Sequence, residues 1–266
     1  KTKLRISTIT RLSYDLQSGN YIKNYKILKR NKKNYKIFLK NIKNLNEKIK
    51  LKNIKTILDF GTGEGIKLPY LLRFNKSVKK IYACDISFNR LYYAKVFLKR
   101  RLNKREMSKL SLFCNKDFEL PFKSSSIDVI FTSGVLENLS NKNMNKLLLE
   151  LFRVTRKRLI LIEPIKDKLS RLKQHQLNFN LNYYLKKNKI NFNEYIWQRI
   201  DQKKTKYSMR VINKKIIYQN NPKFYLEDRK LSLHKKDNFF YDKTGKIIPV
   251  LDEITIFRPL EDLNFI

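Results

Sequence analysis

The stretch from Ile57 to Gly65, ILDFGTGEG, restricts the fold more than any other part of the chain. Only six glycines occur in 266 residues, yet Gly61, Gly63 and Gly65 stand at alternate positions directly after a short apolar run that ends in Asp59 and Phe60. Residues between a parallel strand and the helix that follows it must turn sharply. A ligand lying over such a turn is obstructed by side chains, so alternating glycines predict a backbone that comes close to a ligand. The start of the next helix adds unpaired amide donors. A dinucleotide fingerprint, G-x-G-x-x-G, needs glycine at 66, where isoleucine stands, and no lysine follows in phosphate-loop register. The spacing therefore speaks against nicotinamide, flavin and P-loop nucleotide sites.

From Lys55 the pattern alternates. Thr56 to Phe60 predicts a buried strand, Ile66 to Phe74 a helix with Leu68, Leu71 and Leu72 inward, Lys80 to Cys84 a strand and Asn89 to Leu102 a helix. Strands at Leu110 to Cys114, Ile127 to Thr132 and Arg158 to Ile162 follow, with a helix from Asn143 to Thr155 before the last. Strand then helix, repeated, predicts a parallel sheet with both faces covered. Beyond Pro164 a lysine- and asparagine-rich stretch to Lys189 reads as largely helical. Asn193 to Ile200 and Tyr207 to Ile217 then read as two strands joined by DQKKTK, a hairpin that could close the edge of the sheet.

Ahead of this region Tyr35, Phe38, Ile42, Leu45 and Ile49 recur at three- and four-residue spacing, which predicts an amphipathic helix with lysines on its other face. It could pack on the edge of the next domain or serve as a lysine-rich RNA arm; a charge run is usually a solvated face, which favours the first. After Asn220 the chain changes to short strand-like runs around an Asp-Lys-Thr-Gly turn. The expected organisation is a helical extension over 1–54, an α/β domain over 55–218 and a small β-rich appendage over 219–266.

Hydrophobic residues make up 42% of the chain, enough for a substantial core. No window approaches the run of about 18 apolar residues that spans a bilayer, and KTKLRISTIT at the start lacks a secretory pattern, so a cytoplasmic location is expected. Cys84 and Cys114 form no CxxC pair; no disulfide framework or metal centre is signalled, and both read as buried thiols. With 60 Lys+Arg against 23 Asp+Glu, the net charge of +37 suggests a polyanionic partner. Asparagine and isoleucine accompany the lysine along the whole chain, as A/T-rich coding sequence would produce, so the charge leaves RNA as an open possibility only.

The motif D-x-G-x-G-x-G at Asp59 to Gly65 resembles the first motif of class I S-adenosylmethionine-dependent methyltransferases, and later residues follow in matching order. The resemblance spans residues 54 to 217 and implies a doubly wound, Rossmann-like, seven-stranded sheet with a reversed hairpin at its edge. It implies S-adenosyl-L-methionine as cofactor. Gly61 and Gly63 would line its methionine and ribose portion, Thr62 and Gly65 would complete the loop, and Asp59 would fix the loop and reach the methionine amine through water. Asp85, in IYACDIS, matches the acid that accepts both ribose hydroxyls, with Ile86 against adenine. Asp117, in NKDFELPF, matches the acid that accepts from the adenine amine, with Phe118 in apolar contact. The run SSSIDVIFTSGVLENL resembles the fourth-strand region of the type 11 branch, which puts Ser133 and Gly134 at the methionine end.

Many members carry histidine in that motif, where this chain has Asn138, which cannot act as a general base. Glu137 is a candidate acceptor contact, although an acid in a first helical turn is also favoured by the helix dipole. His175, in LKQHQ, lies where the fold commonly places acceptor-binding residues, and a histidine titrating near about 6.5 suits proton removal from a hydroxyl. His234 is the weaker second histidine. No N/D-P-P-Y/F motif follows the fourth strand, which argues against base amino-group methylation of the well-known type. The segment KKDNFFYDKTGKIIPVLDEITIF resembles the small zinc-ribbon-like domains that accompany some methyltransferases, without their cysteines. The leading expectation is a methyltransferase acting on a small metabolite or a glycan- or lipid-linked intermediate. The alternatives are an RNA methyltransferase and an inactive, cofactor-binding partner subunit.

Overall fold

The computed structural model describes residues 6–115, 118–139, 141–164, 181–197, 207–214, 234–236, 239–241 and 247–257. Three helices open the chain: α1 (Ile6–Leu16), α2 (Asn20–Arg30) and α3 (Lys32–Ile49). The third is the amphipathic helix expected from its spacing, with Phe38, Ile42, Leu45 and Ile49 buried. Asn31 starts it by accepting from the Asn34 amide at 3.0 Å.

Strands and helices then alternate as β1 (Thr56–Phe60), α4 (Leu68–Phe74), β2 (Lys80–Asp85), α5 (Phe88–Lys99), α6 (Lys104–Ser108), β3 (Leu110–Cys114), β4 (Ile127–Ser133), α7 (Asn141–Val154) and β5 (Thr155–Pro164). β1 through β5 pair parallel in the order 5-4-1-2-3. After α8 (Leu181–Lys187), β6 (Asn193–Trp197) and β7 (Tyr207–Asn213) form the expected hairpin. β7 lies antiparallel against β5.

The central parallel strands are apolar on both faces because each face is covered. Ile57, Ile81, Ala83, Val129 and Phe131 pack with Leu45, Ile49, Leu71 and Leu91. Leu58, Cys84, Ile130 and Leu161 pack on the other side with Leu147, Leu151 and Leu185. Cys84 and Cys114 are both buried, and neither is part of a disulfide.

At the amino-terminal end of the central strands a buried carboxylate holds the layers in register. Asp128 Oδ2 accepts from the amides of Lys55 and Thr56 at 2.8 and 3.1 Å, and Arg156 Nε donates to its Oδ1 at 2.8 Å.

The expectation of seven strands is corrected. The chain returns with β8 (His234–Lys236), β9 (Phe239–Tyr241), β10 (Ile247–Leu251) and β11 (Ile254–Ile256). β11 pairs parallel with the outer edge of β3, Thr255 opposite Phe113 and Ile256 opposite Cys114. β10 lies antiparallel beside β11, which makes nine strands in the main ladder. β10 also pairs with β9, and β9 with β8, so the connected order is eleven strands long. The physical reason is that β3 presents a row of unpaired backbone groups, and the late strands satisfy them. The β10–β11 turn is tethered to α5 by Lys95, whose ammonium donates to the Asp252 carbonyl at 2.8 Å and pairs with the Asp252 carboxylate.

Candidate cofactor and acceptor cavity

The strand order reverses between β1 and β4, and ligands of open α/β sheets bind at the carboxyl ends of strands flanking such a point. The loop after β1 begins there. The amides of Gly61 and Thr62 both donate to the Cys84 carbonyl at 2.9 Å, folding the loop over β2. Gly61 has φ +76°, and a β-carbon added there would stand 2.3 Å from Val135 Cγ2. Gly63 has φ +57° with open space where a β-carbon would project, and it lines the cavity described below. Gly65 instead packs against α5, within reach of Ala94 and Leu98.

Two buried acids set this loop. Asp59 Oδ2 accepts from Thr62 Oγ1 at 2.8 Å. Asp85 Oδ2 accepts from the Gly63 amide at 2.8 Å, and its Oδ1 accepts from the Ser87 amide at 3.0 Å. Burial raises both, Asp59 to about 6.

A cavity of about 730 Å³ opens over the loop. Of the residues singled out by sequence, Gly61, Thr62, Gly63, Asp85, Ile86, Phe118, Ser133 and Glu137 line it. Asp59 and Gly65 lie beneath and beside the loop. Asp117 and His175 fall outside the described residues, as does the side chain of His234. Asn138 lines the cavity too, but its side-chain amide donates to the Gly134 carbonyl at 3.0 Å, so it braces the turn after β4.

The amino-terminal helices close the cavity, which sequence reading had not anticipated. Glu64, from within the glycine motif, is buried and accepts three amides at the start of α2: Gly19 at 2.8 Å, Tyr21 at 3.3 Å and Ile22 at 2.7 Å. This carboxylate caps the helix, which no residue of its own does. Asp15 pairs with the Ser87 hydroxyl. Arg90 is stacked against the rings of Tyr14 and Tyr21, 4.4 and 4.7 Å from their centroids. Trp197 and Tyr207, cross-strand neighbours in the β6–β7 hairpin, form another wall.

Glu163, at the end of β5, is fully buried behind the β4 loop. It accepts from Thr132 Oγ1 and the Val135 amide at 3.1 Å and from the Glu137 amide at 3.3 Å. Burial pushes it from 4.5 up to about 7. A folded-state value above the unfolded one means that the folded chain holds the extra proton between those two values. Its contribution therefore falls as pH rises from about 4.5 to 7 and is level beyond. We expect Glu163→Gln to remove this share, so that the stability difference between variant and wild type moves by roughly 3 kcal/mol in the variant's favour from pH 4.5 to 8. Urea unfolding across that range checks it, and parallel profiles would refute the buried acid.

The described residues fit S-adenosyl-L-methionine on structural grounds. Arg90, which lines the cavity, has Nε and Nη2 buried without hydrogen-bond partners, so polar groups there await a polar ligand. Asp85 retains acceptor capacity beyond its amide bonds.

Residues 58–162 match the protein family described as "Methyltransferase domain". No curated protein matches the chain by sequence. Among solved structures, the chain is similar to 1,6-didemethyltoxoflavin-N1-methyltransferase of Burkholderia thailandensis, determined with bound 1,6-didemethyltoxoflavin and S-adenosylhomocysteine. The TM-score is 0.60 at 12% identity, over 80% of this chain and 92% of that one. It is also similar to magnesium protoporphyrin IX methyltransferase of Synechocystis PCC 6803 with bound S-adenosylmethionine: TM-score 0.56, 14% identity, 81% and 100% covered. A third is a SAM-dependent methyltransferase of Aquifex aeolicus, with TM-score 0.50, 21% identity and 64% and 88% covered. At these identities the likeness shows the fold, and that fold is the α/β Rossmann-like fold of class I methyltransferases. The resemblance of the last segment to zinc-ribbon-like activators has no counterpart in the family match, which ends at 162.

Proposed function

We propose that the chain is an S-adenosyl-L-methionine-dependent methyltransferase whose acceptor is a small molecule. Asp85 would take the ribose hydroxyls, Gly61 and Gly63 the methionine and ribose portion, Ile86 and Phe118 the adenine faces and Ser133 the methionine end. Arg90, with two unpaired donors beside Asp85, would add a hydrogen bond to the adenosine. Asp59 would hold the loop from below. The cofactor supplies a methyl group on a sulfonium, already electrophilic, so the chain's work is alignment and exclusion of water.

One observation carries the choice of acceptor. Although the chain bears +37 charges, the charged side chains lining the cavity, among the described residues, are the carboxylates Glu64, Asp85 and Glu137 against the cations Lys67 and Arg90. A polyanion needs a cationic approach to the reacting centre, and the described lining of the cavity is not one. The RNA reading rests on overall charge and on the activator-like last segment, and the glycan- or lipid-linked reading needs an outlet for a long acceptor.

Asp85→Ala is expected to weaken S-adenosylhomocysteine binding about 10- to 100-fold, the consequence of leaving buried hydroxyl donors unpaired; unchanged affinity by calorimetry would refute the ribose contact. The acceptor class is tested by transfer of radiolabelled methyl groups from S-adenosylmethionine into a fractionated cell extract. Label in the small-molecule fraction supports the reading, label in RNA replaces it with the second, and no label favours an inactive binding subunit.

A further inference from the structure

The cavity is also lined by a pair of side chains that the fold brings together. Glu137, from the turn after β4, is buried, and its Oε1 accepts from the Tyr207 hydroxyl at 2.7 Å. Both line the cavity. Tyr207 is carried by the antiparallel strand at the sheet's edge, seventy residues further along the chain. Its cross-strand neighbour Trp197 lines the same cavity, as do the aromatic residues Tyr25 and Phe38.

A carboxylate has acceptor sites to spare after taking one hydroxyl bond, and it offers no donor. Bounded by rings, it favours a flat molecule that brings a proton of its own. A buried acceptor left unmatched costs binding, which turns the pair into a selection device.

We propose that Glu137 and Tyr207 form the acceptor subsite of this methyltransferase, and that the acceptor is a small aromatic molecule presenting an O–H or N–H to Glu137. This rests on the methyltransferase reading above. Glu137 takes the acceptor's proton as the oxygen or nitrogen lone pair bonds the methyl carbon, while the electron pair of the broken carbon–sulfur bond stays on sulfur. Glu137 is then the catalytic base that Asn138 cannot be. Tyr207 is a positioning residue that holds the carboxylate toward the rings.

The test is saturation-transfer NMR on the full chain with S-adenosylhomocysteine, using 2-naphthol and 2-methoxynaphthalene, which share a ring system and differ in the acidic proton. In the wild type both S-adenosylhomocysteine and 2-naphthol bind, and 2-methoxynaphthalene binds at least tenfold more weakly. Glu137→Gln retains S-adenosylhomocysteine, which shows that it is folded, and loses most of the preference for 2-naphthol. Tyr207→Phe keeps the ring wall and narrows the same preference, a change that a packing role alone would not produce. Equal binding of the two naphthalenes to the wild type, an undiminished preference in Glu137→Gln, or no naphthalene binding beside bound S-adenosylhomocysteine overturns the proposal and leaves the methyltransferase reading standing. Failure of S-adenosylhomocysteine to bind the wild type overturns both.

Discussion

Gly61→Ala is expected to destabilise the chain by about 2 to 5 kcal/mol, combining the strain of a left-handed backbone on alanine with overpacking. The backbone there has φ +76°, and the new methyl would lie 2.3 Å from Val135 Cγ2. Valine is stiff about its first torsion, so it cannot swing aside, and the loop or the turn after β4 must move. Either movement carries cavity-lining groups with it, so S-adenosylhomocysteine affinity should fall by more than tenfold. Truncating the neighbour separates the two costs: Val135→Ala combined with Gly61→Ala should recover the steric share and leave the backbone share. Urea unfolding of the four proteins in the cycle measures this, and a Gly61→Ala chain as stable as the wild type would remove the reason given for that glycine. Gly63→Ala makes a contrast. Its methyl meets open space, so it should cost only about 1 to 2 kcal/mol of backbone strain while still reducing affinity, because the methyl enters the space assigned to the cofactor.

Glu64→Ala is expected to cost about 3 kcal/mol or more, since it orphans three amides that a single buried carboxylate now satisfies. The loss should be local. Amides of α1 and α2 should exchange with solvent at least a hundredfold faster while those of β1, β4 and β5 keep their protection. Glu64→Gln keeps one acceptor oxygen and should fall between. Hydrogen exchange followed by mass spectrometry reads the difference, and unchanged protection of α2 would show that the carboxylate does not hold the helices over the cavity.

Those two residues also show what can be read from the sequence. The glycine spacing marks a tight turn over a ligand because the signal is local: each glycine answers a backbone need within its own loop. The alternation of apolar strand and amphipathic helix is local in the same way, and so is the β6–β7 hairpin. Glu64 is different. It sits inside a motif that assigns it nothing, and its partners lie more than forty residues earlier at the start of a helix whose own residues show no cap. The pairing of β11 with β3 is equally silent, because a three-residue strand carries no mark of the edge that it will join.

The acids divide along the same line. Asp59 and Asp85 end strands and precede turns, a position that points to the carboxyl end of a parallel sheet. Glu163 also ends a strand, but its apolar run looks like any buried strand, and only the assembled fold shows three donors from the β4 region converging on it. Tyr207 reads as a hairpin residue until β7 brings it to Glu137.

The most direct test of the central claim is titration of the purified chain with S-adenosylhomocysteine by calorimetry, beside the Asp85→Ala chain. The account predicts saturable one-to-one binding to the wild type and a loss of about 10- to 100-fold in the variant. No binding to a folded wild type, or equal binding to both, would contradict it.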